Sequence, residues 1–225
     1  MTAVVPFRGE NNTLENSITN YETEELLFKV LVIGDFGVGK TAIIRRYTEG
    51  VFSQYYKITI GVDFAIKSIL WDAKTRITLQ LWDIAGHERF GYMTRVYYKY
   101  ATAAIIVYDL SRLTTLESVV KWQKDVIDKV TLQNGQPIPI ILLANKCDIE
   151  GISINCEMLT EFCKQHNILA WFFTSAKENI HIDEAIEYLV ENIIYQRSDF
   201  NHPKGHNHIS LTHKPNYKKV KCCGT

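Results

Sequence analysis

The sequence predicts an α/β fold: a six-stranded, mainly parallel sheet with one antiparallel strand and helices on both faces. Three observations lead there. Short apolar runs alternate with amphipathic stretches between Leu26 and residue 196. Several runs are apolar at consecutive positions, the habit of parallel strands covered on both faces. A glycine-rich stretch, GDFGVGKT (34–41), joins the first run to the first amphipathic stretch. Sheets of this kind bind ligands at the carboxyl ends of their strands, so chemically active side chains should collect there.

Residues 1–25 read as a polar extension without periodicity and hence as disordered. It is acidic: Glu10, Glu15, Glu22, Glu24 and Glu25 face only Arg8. LLFKVLVIG (26–34) reads as a buried strand and 40–50 as a helix. Residues 62–83 read as two strands around a tight turn at Asp72–Lys74, which supplies the antiparallel pair. AAIIVYDL (103–110) is the next strand, with a helix near 115–130 after it. IPIILLANKCD (138–148) and ILAWFFTSA (168–176) are further strands, and helices follow near 155–166 and 181–196. From Arg197 to residue 225 periodicity is lost again and the chain turns basic, with Lys204, Lys214, Lys218, Lys219 and Lys221 against Asp199. The expected organisation is therefore an acidic extension (1–25), one globular domain (26–196) and a flexible basic tail (197–225).

At 225 residues and 46% hydrophobic content the chain can bury one sizeable core. A net charge of zero argues against nucleic acid as a partner. No run approaches the roughly 20 apolar residues of a membrane span, and no signal-peptide pattern is present. Five cysteines, odd in number and without paired spacing, suit a reducing cytosol. Cys147, Cys156 and Cys163 lack zinc-site spacing and read as small buried hydrophobes. His202, His206 and His208 lie in the tail, where no preorganised geometry is available for a metal.

GDFGVGKT satisfies G-x-x-x-x-G-K-[ST] in the strand-to-helix context that motif requires. Gly34, Gly37 and Gly39 let the backbone wrap so that successive N–H groups face a phosphate chain, with Val38 and Ala42 in the same binding run. Lys40 adds a point charge, the helix start favours the same anion, and Thr41 offers a hydroxyl to Mg²⁺. NKCD (145–148) ends a later strand and addresses the base. A carboxylate at Asp148 accepts two parallel hydrogen bonds from guanine N1–H and N2–H₂, donors that adenine does not present. Asn145 projects at the same edge, and the Lys146 stem can lie across the base. TSAK (174–177) ends the next strand, where the Ala176 N–H suits guanine O6. NKCD alone is more often an ordinary turn; in register with the phosphate loop and with SAK it argues against an ATP-using enzyme. In TRITLQLWD, Ile77, Leu79 and Leu81 share one face and Thr78, Gln80 and Trp82 the other. Trp82 is then either a binding hot spot or a side chain covered by the protein's own helix.

With these motifs the chain resembles a small GTPase of the Ras superfamily over residues 26–196. YKITIGVDF (56–64) and WDIAGHERF (82–90) resemble the two switch regions of the Rab branch; GVDF, ERF and the double cysteine near the end are features of that branch. WDIAG, MTRVYYK and ILLANKCD are most similar to the Rab subgroup associated with melanosomes and other lysosome-related organelles. The resemblance implies a P-loop G domain that binds GTP and GDP with Mg²⁺, hydrolyses GTP and recruits effectors in vesicle trafficking. It implies that Thr59 completes Mg²⁺ coordination, that Asp83 holds the metal through water, and that the Gly86 N–H contacts the γ-phosphate. Phe52 would cover the guanine edge-on, and Ser175, Ala176 and Lys177 would form the second base loop. Lys40, Thr59, Gly86 and His87 make up the implied catalytic set. Phe64, Trp82 and Tyr97 match the family's effector-binding aromatic triad.

Cys222 and Cys223, adjacent on a mobile basic tail, suggest double geranylgeranylation as in Rabs, since one lipid anchors only marginally and two anchor stably; unmodified thiols are the alternative. As a flexible coil the tail spans roughly 30 Å. The implied partners are an exchange factor, a GTPase-activating protein, a GDP-dissociation inhibitor, an escort protein and effectors. The implied state is a monomer on the cytosolic face of endosomal, lysosome-related or phagosomal membranes, with a soluble pool.

Two positions depart from the pattern of the most efficient hydrolases in this superfamily. His87 stands where most relatives carry glutamine, whose amide accepts and donates at the end of a flexible stem. Neutral imidazole has one donor and one acceptor on opposite sides of a rigid ring, and loses the acceptor on protonation. Phe36 occupies a phosphate-loop position where the fastest members have glycine, and its ring crowds the approach of an arginine finger. These residues separate a slow switch from a binding module that persists in the GTP form. For the slow switch, single-turnover hydrolysis by His87→Gln should exceed the native rate, and native hydrolysis alone should fall from about pH 7 to 5.5. Equal rates for the two proteins would sink the slow-switch reading.

Overall fold

The computed structural model describes residues 23–55, 57–86, 92–132, 134–152 and 155–201. The two most apolar runs form strands in which every residue is buried, β4 (Ala103–Asp109) and β5 (Ile140–Asn145). Around them lie β1 (Glu24–Ile33), α1 (Lys40–Glu49), β2 (Val62–Leu70), β3 (Thr75–Ile84), α2 (Tyr92–Tyr98), α3 (Thr114–Lys129), α4 (Cys156–Gln165), β6 (Ala170–Thr174) and α5 (Ile182–Asn201). The sheet order is β2-β3-β1-β4-β5-β6. Only β2 runs antiparallel, with Val62 opposite Ile84 and Leu70 opposite Arg76. The six-stranded mixed sheet is the one expected.

Alternation in β3 divides the interior into two cores. Ile77, Leu79 and Leu81 face α1 and α5, meeting Ile43, Ile44, Leu189 and Val190. The opposite face packs against α2, α3 and α4 through Tyr98, Trp122, Val126 and Leu159. Each fully buried side chain of this kind contributes roughly 1.5–3 kcal/mol of transfer free energy. Asp72 forms the β2–β3 turn as read from the sequence: its Oδ1 accepts from Lys74 N at 2.8 Å, and Trp71 N donates to Thr75 O at 2.9 Å.

Four details differ from the sequence reading. β1 begins at Glu24, inside the segment assigned to the acidic extension. Glu24 N donates to Lys74 O at 2.7 Å, so backbone pairing proceeds although both glutamates are exposed. At its far end α5 runs past residue 196 to Asn201. Ile193 is its last buried residue among those whose side chains are described, and a helix already begun gains one i→i−4 bond with each added residue. Arg197 reaches back to Glu24 at 3.6 Å, bringing the two ends of the domain together. The α2 helix was not read at all, because its seven residues are too few to show a period. Of the three cysteines expected to be buried, only Cys163 is; Cys147 and Cys156 are half-exposed.

Burial along β1 sets a direct comparison. Leu31 is fully buried and Leu27 is 58% exposed. Leu31→Ala should lower the unfolding free energy by about 2–5 kcal/mol, whereas Leu27→Ala should change it by under about 0.5 kcal/mol, both read from urea midpoints.

Candidate functional site

The chain leaves β1 at Ile33, wraps through Gly34–Gly39 and enters α1 at Lys40. Asn145, at the end of β5 and 2% exposed, donates from Nδ2 to Val38 O at 2.8 Å. Its Oδ1 accepts from Thr174 Oγ1 of β6 at 3.3 Å. The Asn145 side chain is therefore a brace joining the loop to two strands, at the strand edge where the sequence reading placed it. Gly39 is required by that brace: its φ is +103°, and a Cβ there would lie 2.3 Å from Asn145 Nδ2. At Gly86 a Cβ would lie 2.4 Å from Phe36 N, so the chain just after β3 rests directly on the main chain of the loop.

Lys40 Nζ donates to Gly34 O at 2.9 Å and Asp35 O at 3.0 Å. Burial pushes its ammonium down to about 8; Asp83 and Asp35 oppose the shift and Arg112 adds to it. One helical position on, Thr41 Oγ1 donates to Asp83 Oδ2 and lies 2.8 Å from Thr59 Oγ1. Thr59 Oγ1 in turn donates to Asp83 Oδ2 at 3.2 Å. Burial raises the Asp83 carboxyl above the ordinary range, against the hydrogen bond from Thr41, the charge of Lys40 and the hydrogen bond from Thr59. Asp83 Oδ1 is buried and has no hydrogen-bond partner among the described residues. Two hydroxyls and a carboxylate with an oxygen to spare form a hard-oxygen donor set that fits a divalent cation such as Mg²⁺. Among the described residues no cluster of three His, Cys, Asp or Glu side chains competes for that role.

At the other end, Lys146 adopts φ +67° and its Nζ donates to Asp109 Oδ2 at 2.6 Å. Asp148 Oδ1 accepts from Ser175 Oγ at 2.6 Å, and Lys177 Nζ stands 3.9 Å from Asp148 Oδ2. The carbonyls of Ala176 and Lys177 accept from Arg46 of α1, at 2.8 Å from Nε and 2.9 Å from Nη2. Arg46 fixes the second base loop against the helix that follows the phosphate loop. The sequence reading missed it, since a lone arginine in a helix carries no motif. Gly37, Gly39, Lys40, Thr41, Ala42, Phe52, Thr59, Gly86 and Lys146 all line one cleft of about 570 Å³. Asp148, Ser175, Ala176 and Lys177 lie outside this lining, as do Gly34, Val38 and Asn145.

On the sheet face toward α2, Phe64 is 60% exposed and stacks on Trp82, with ring centroids 5.9 Å apart. Lys29 Nζ sits 3.7 Å from the Trp82 ring centroid, a cation–π contact, and donates to Lys99 O at 2.9 Å. Trp82 is thus half-buried between an aromatic neighbour and a cation, its Nε1 unpaired among the described residues. Tyr97 is half-buried against the same core. His87, Cys222 and Cys223 lie outside the described residues.

The family model described as the Ras family matches residues 29–195. Ras-related protein Rab-32 of Sus scrofa is 54% identical over 205 residues, covering 90% of this chain and 91% of that one. Ras-related protein Rab-32 of Homo sapiens is 57% identical over 180 residues, 80% of each chain. Ras-related protein Rab-7L1 of Homo sapiens is 46% identical over 168 residues, covering 75% of this chain and 83% of that one.

The brace on the loop makes a stability prediction that needs no ligand. Gly39→Ala combines a positive φ with a collision at Asn145 Nδ2, and should cost about 2–3 kcal/mol in denaturant unfolding. A loss below about 0.5 kcal/mol would show that the brace does not hold the loop.

Proposed function

Because the chain belongs to the Ras family, as a Rab-type small GTPase, we propose that it binds GTP and GDP with Mg²⁺, hydrolyses GTP slowly and, in its GTP form, recruits effectors that regulate vesicle trafficking. The observation that carries this reading is the meeting of Thr41, Thr59 and Asp83 beside Lys40 at the mouth of the glycine loop. Two hydroxyls from separate stretches of chain would otherwise have no reason to gather on one buried carboxylate from a third.

The roles follow from position. The loop N–H groups and Lys40 bind the phosphates, while Thr41 and Thr59 would hold Mg²⁺ directly and Asp83 through water. When bound, that ion neutralises charge developing on the β- and γ-oxygens. Asp148 accepts the two guanine donors and is already oriented by Ser175; Lys146 lies along the base, Phe52 covers its edge, and Ala176 N–H meets O6. Thr59 and Gly86 belong to different segments, and both contact the γ-phosphate, so its loss releases both: an order–disorder switch. His87 orients the attacking water less well than glutamine would. Phe64, Trp82 and Tyr97 present the effector surface. Exchange factor, activating protein, dissociation inhibitor and escort protein act on the monomer, and Cys222 and Cys223 carry the lipids that hold it on the cytosolic face of endosomal or lysosome-related membranes. No helix among the described residues is long and apolar enough to cross a membrane.

A second reading, a module that stays in the GTP form, draws on Phe36, whose ring lines the cleft and is 38% exposed. Chromatography of nucleotide released from the purified protein tests both. Guanine nucleotide without adenine nucleotide is expected, released faster once EDTA removes divalent cation. GTP in place of GDP would favour the second reading, and equal affinity for ATP and GTP would overturn both.

A further inference from the structure

Asp109 ends β4 between the phosphate loop and the base loop, and belongs to neither motif. Its side chain is 1% exposed. Oδ1 accepts from Ser111 N at 2.9 Å and Ser111 Oγ at 2.6 Å. Oδ2 takes two cations: Arg112 Nε at 2.9 Å and Lys146 Nζ at 2.6 Å. Burial pushes this carboxyl up, but the hydrogen bonds from Lys146, Ser111 and Arg112 outweigh it and hold the group below the ordinary carboxylate range.

Arg112 does not stop at Asp109. Its Nη2 donates to Phe36 O, a main-chain carbonyl of the phosphate loop, at 2.9 Å. One residue earlier, Asp35 Oδ1 accepts from Nε1 of the fully buried Trp122 at 2.9 Å. Two successive loop residues are therefore held from the α3 side. The continuous path runs from Phe36 O through Arg112 and Asp109 to Lys146. It uses the fork of a guanidinium, with Nε on a carboxylate and Nη2 on a carbonyl, which a lysine ammonium on a single flexible stem does not reproduce.

We propose that Asp109 and Arg112 form a strut that positions the phosphate loop against the base loop and thereby sets how tightly the nucleotide's β-phosphate is held. The inference rests on the guanine-nucleotide reading of the cleft. Both are positioning residues: Arg112 fixes the Phe36–Gly37 peptide, whose N–H belongs to the phosphate loop, and Asp109 fixes Arg112 and Lys146 together. Losing Arg112 frees the phosphate end alone. Losing the Asp109 charge frees both ends.

The test compares GDP with GMP, which lacks the β-phosphate, by equilibrium titration of the full-length protein and its Arg112→Ala, Arg112→Lys and Asp109→Asn variants. Arg112→Ala should lower the GDP-over-GMP affinity ratio about tenfold while leaving GMP affinity nearly unchanged. Arg112→Lys, which keeps the charge, should behave like the alanine variant. Asp109→Asn should weaken GDP and GMP together. An unchanged ratio in Arg112→Ala, whether from native affinities or from equal losses for both nucleotides, overturns the strut, as does native behaviour of Arg112→Lys. Failure of the native protein to bind GDP would instead overturn the guanine-nucleotide reading beneath it.

Discussion

A glycine-rich loop has more conformational freedom to lose than an ordinary one, so its shape must be imposed by its surroundings. Between β1 and α1 that imposition comes from several directions. Asn145 reaches the Val38 carbonyl from β5, Trp122 reaches the Asp35 side chain from α3, and Lys40 turns back onto Gly34 and Asp35 from the helix that follows. Each bond is worth only about 0.5–1.5 kcal/mol net. Together they hold a row of backbone donors in one orientation. The sheet exists, from the site's point of view, to bring these anchors to one edge.

Two aspartates near the ends of β3 and β4, the strands on either side of β1, show how environment divides labour between identical groups. Asp83 is buried among hydroxyls and one lysine; its carboxyl is raised and one oxygen stays unpaired. Asp109 meets two cations and a serine, its carboxyl is lowered, and both of its oxygens accept from neighbours. The first can still give an oxygen to something that arrives. The second is committed to holding its neighbours in place.

The strands were legible because their signal is local. In β4 and β5 every residue is buried, and an unbroken apolar run admits few other readings. The phosphate loop and the base loops were legible because their residue types and spacing are tied to phosphate and purine chemistry. What could not be read depends on contacts distant in sequence. Asn145 lies 107 positions from Val38, and Arg112 lies 76 from Phe36. Neither pairing leaves a periodic trace, since single hydrogen bonds impose none. The surroundings of Trp82 were illegible for a related reason: alternation places it on a face, but only the folded sheet shows Lys29 seated on its ring. The ends of α5 and β1 were misjudged because a helix or strand already begun can extend on backbone bonds alone, whatever its side chains do.

The contact between Arg197 and Glu24 fixes a polarity for the whole molecule. Glu24 opens β1, and the phosphate loop follows the far end of the same ten-residue strand, a distance of about 30 Å. The chain thus enters its fold and leaves α5 at one pole, with the nucleotide cleft at the other. A tether joined beyond Asn201 pulls on the pole farthest from the cleft. Such a pull leaves the ligand-binding side of the domain unobstructed.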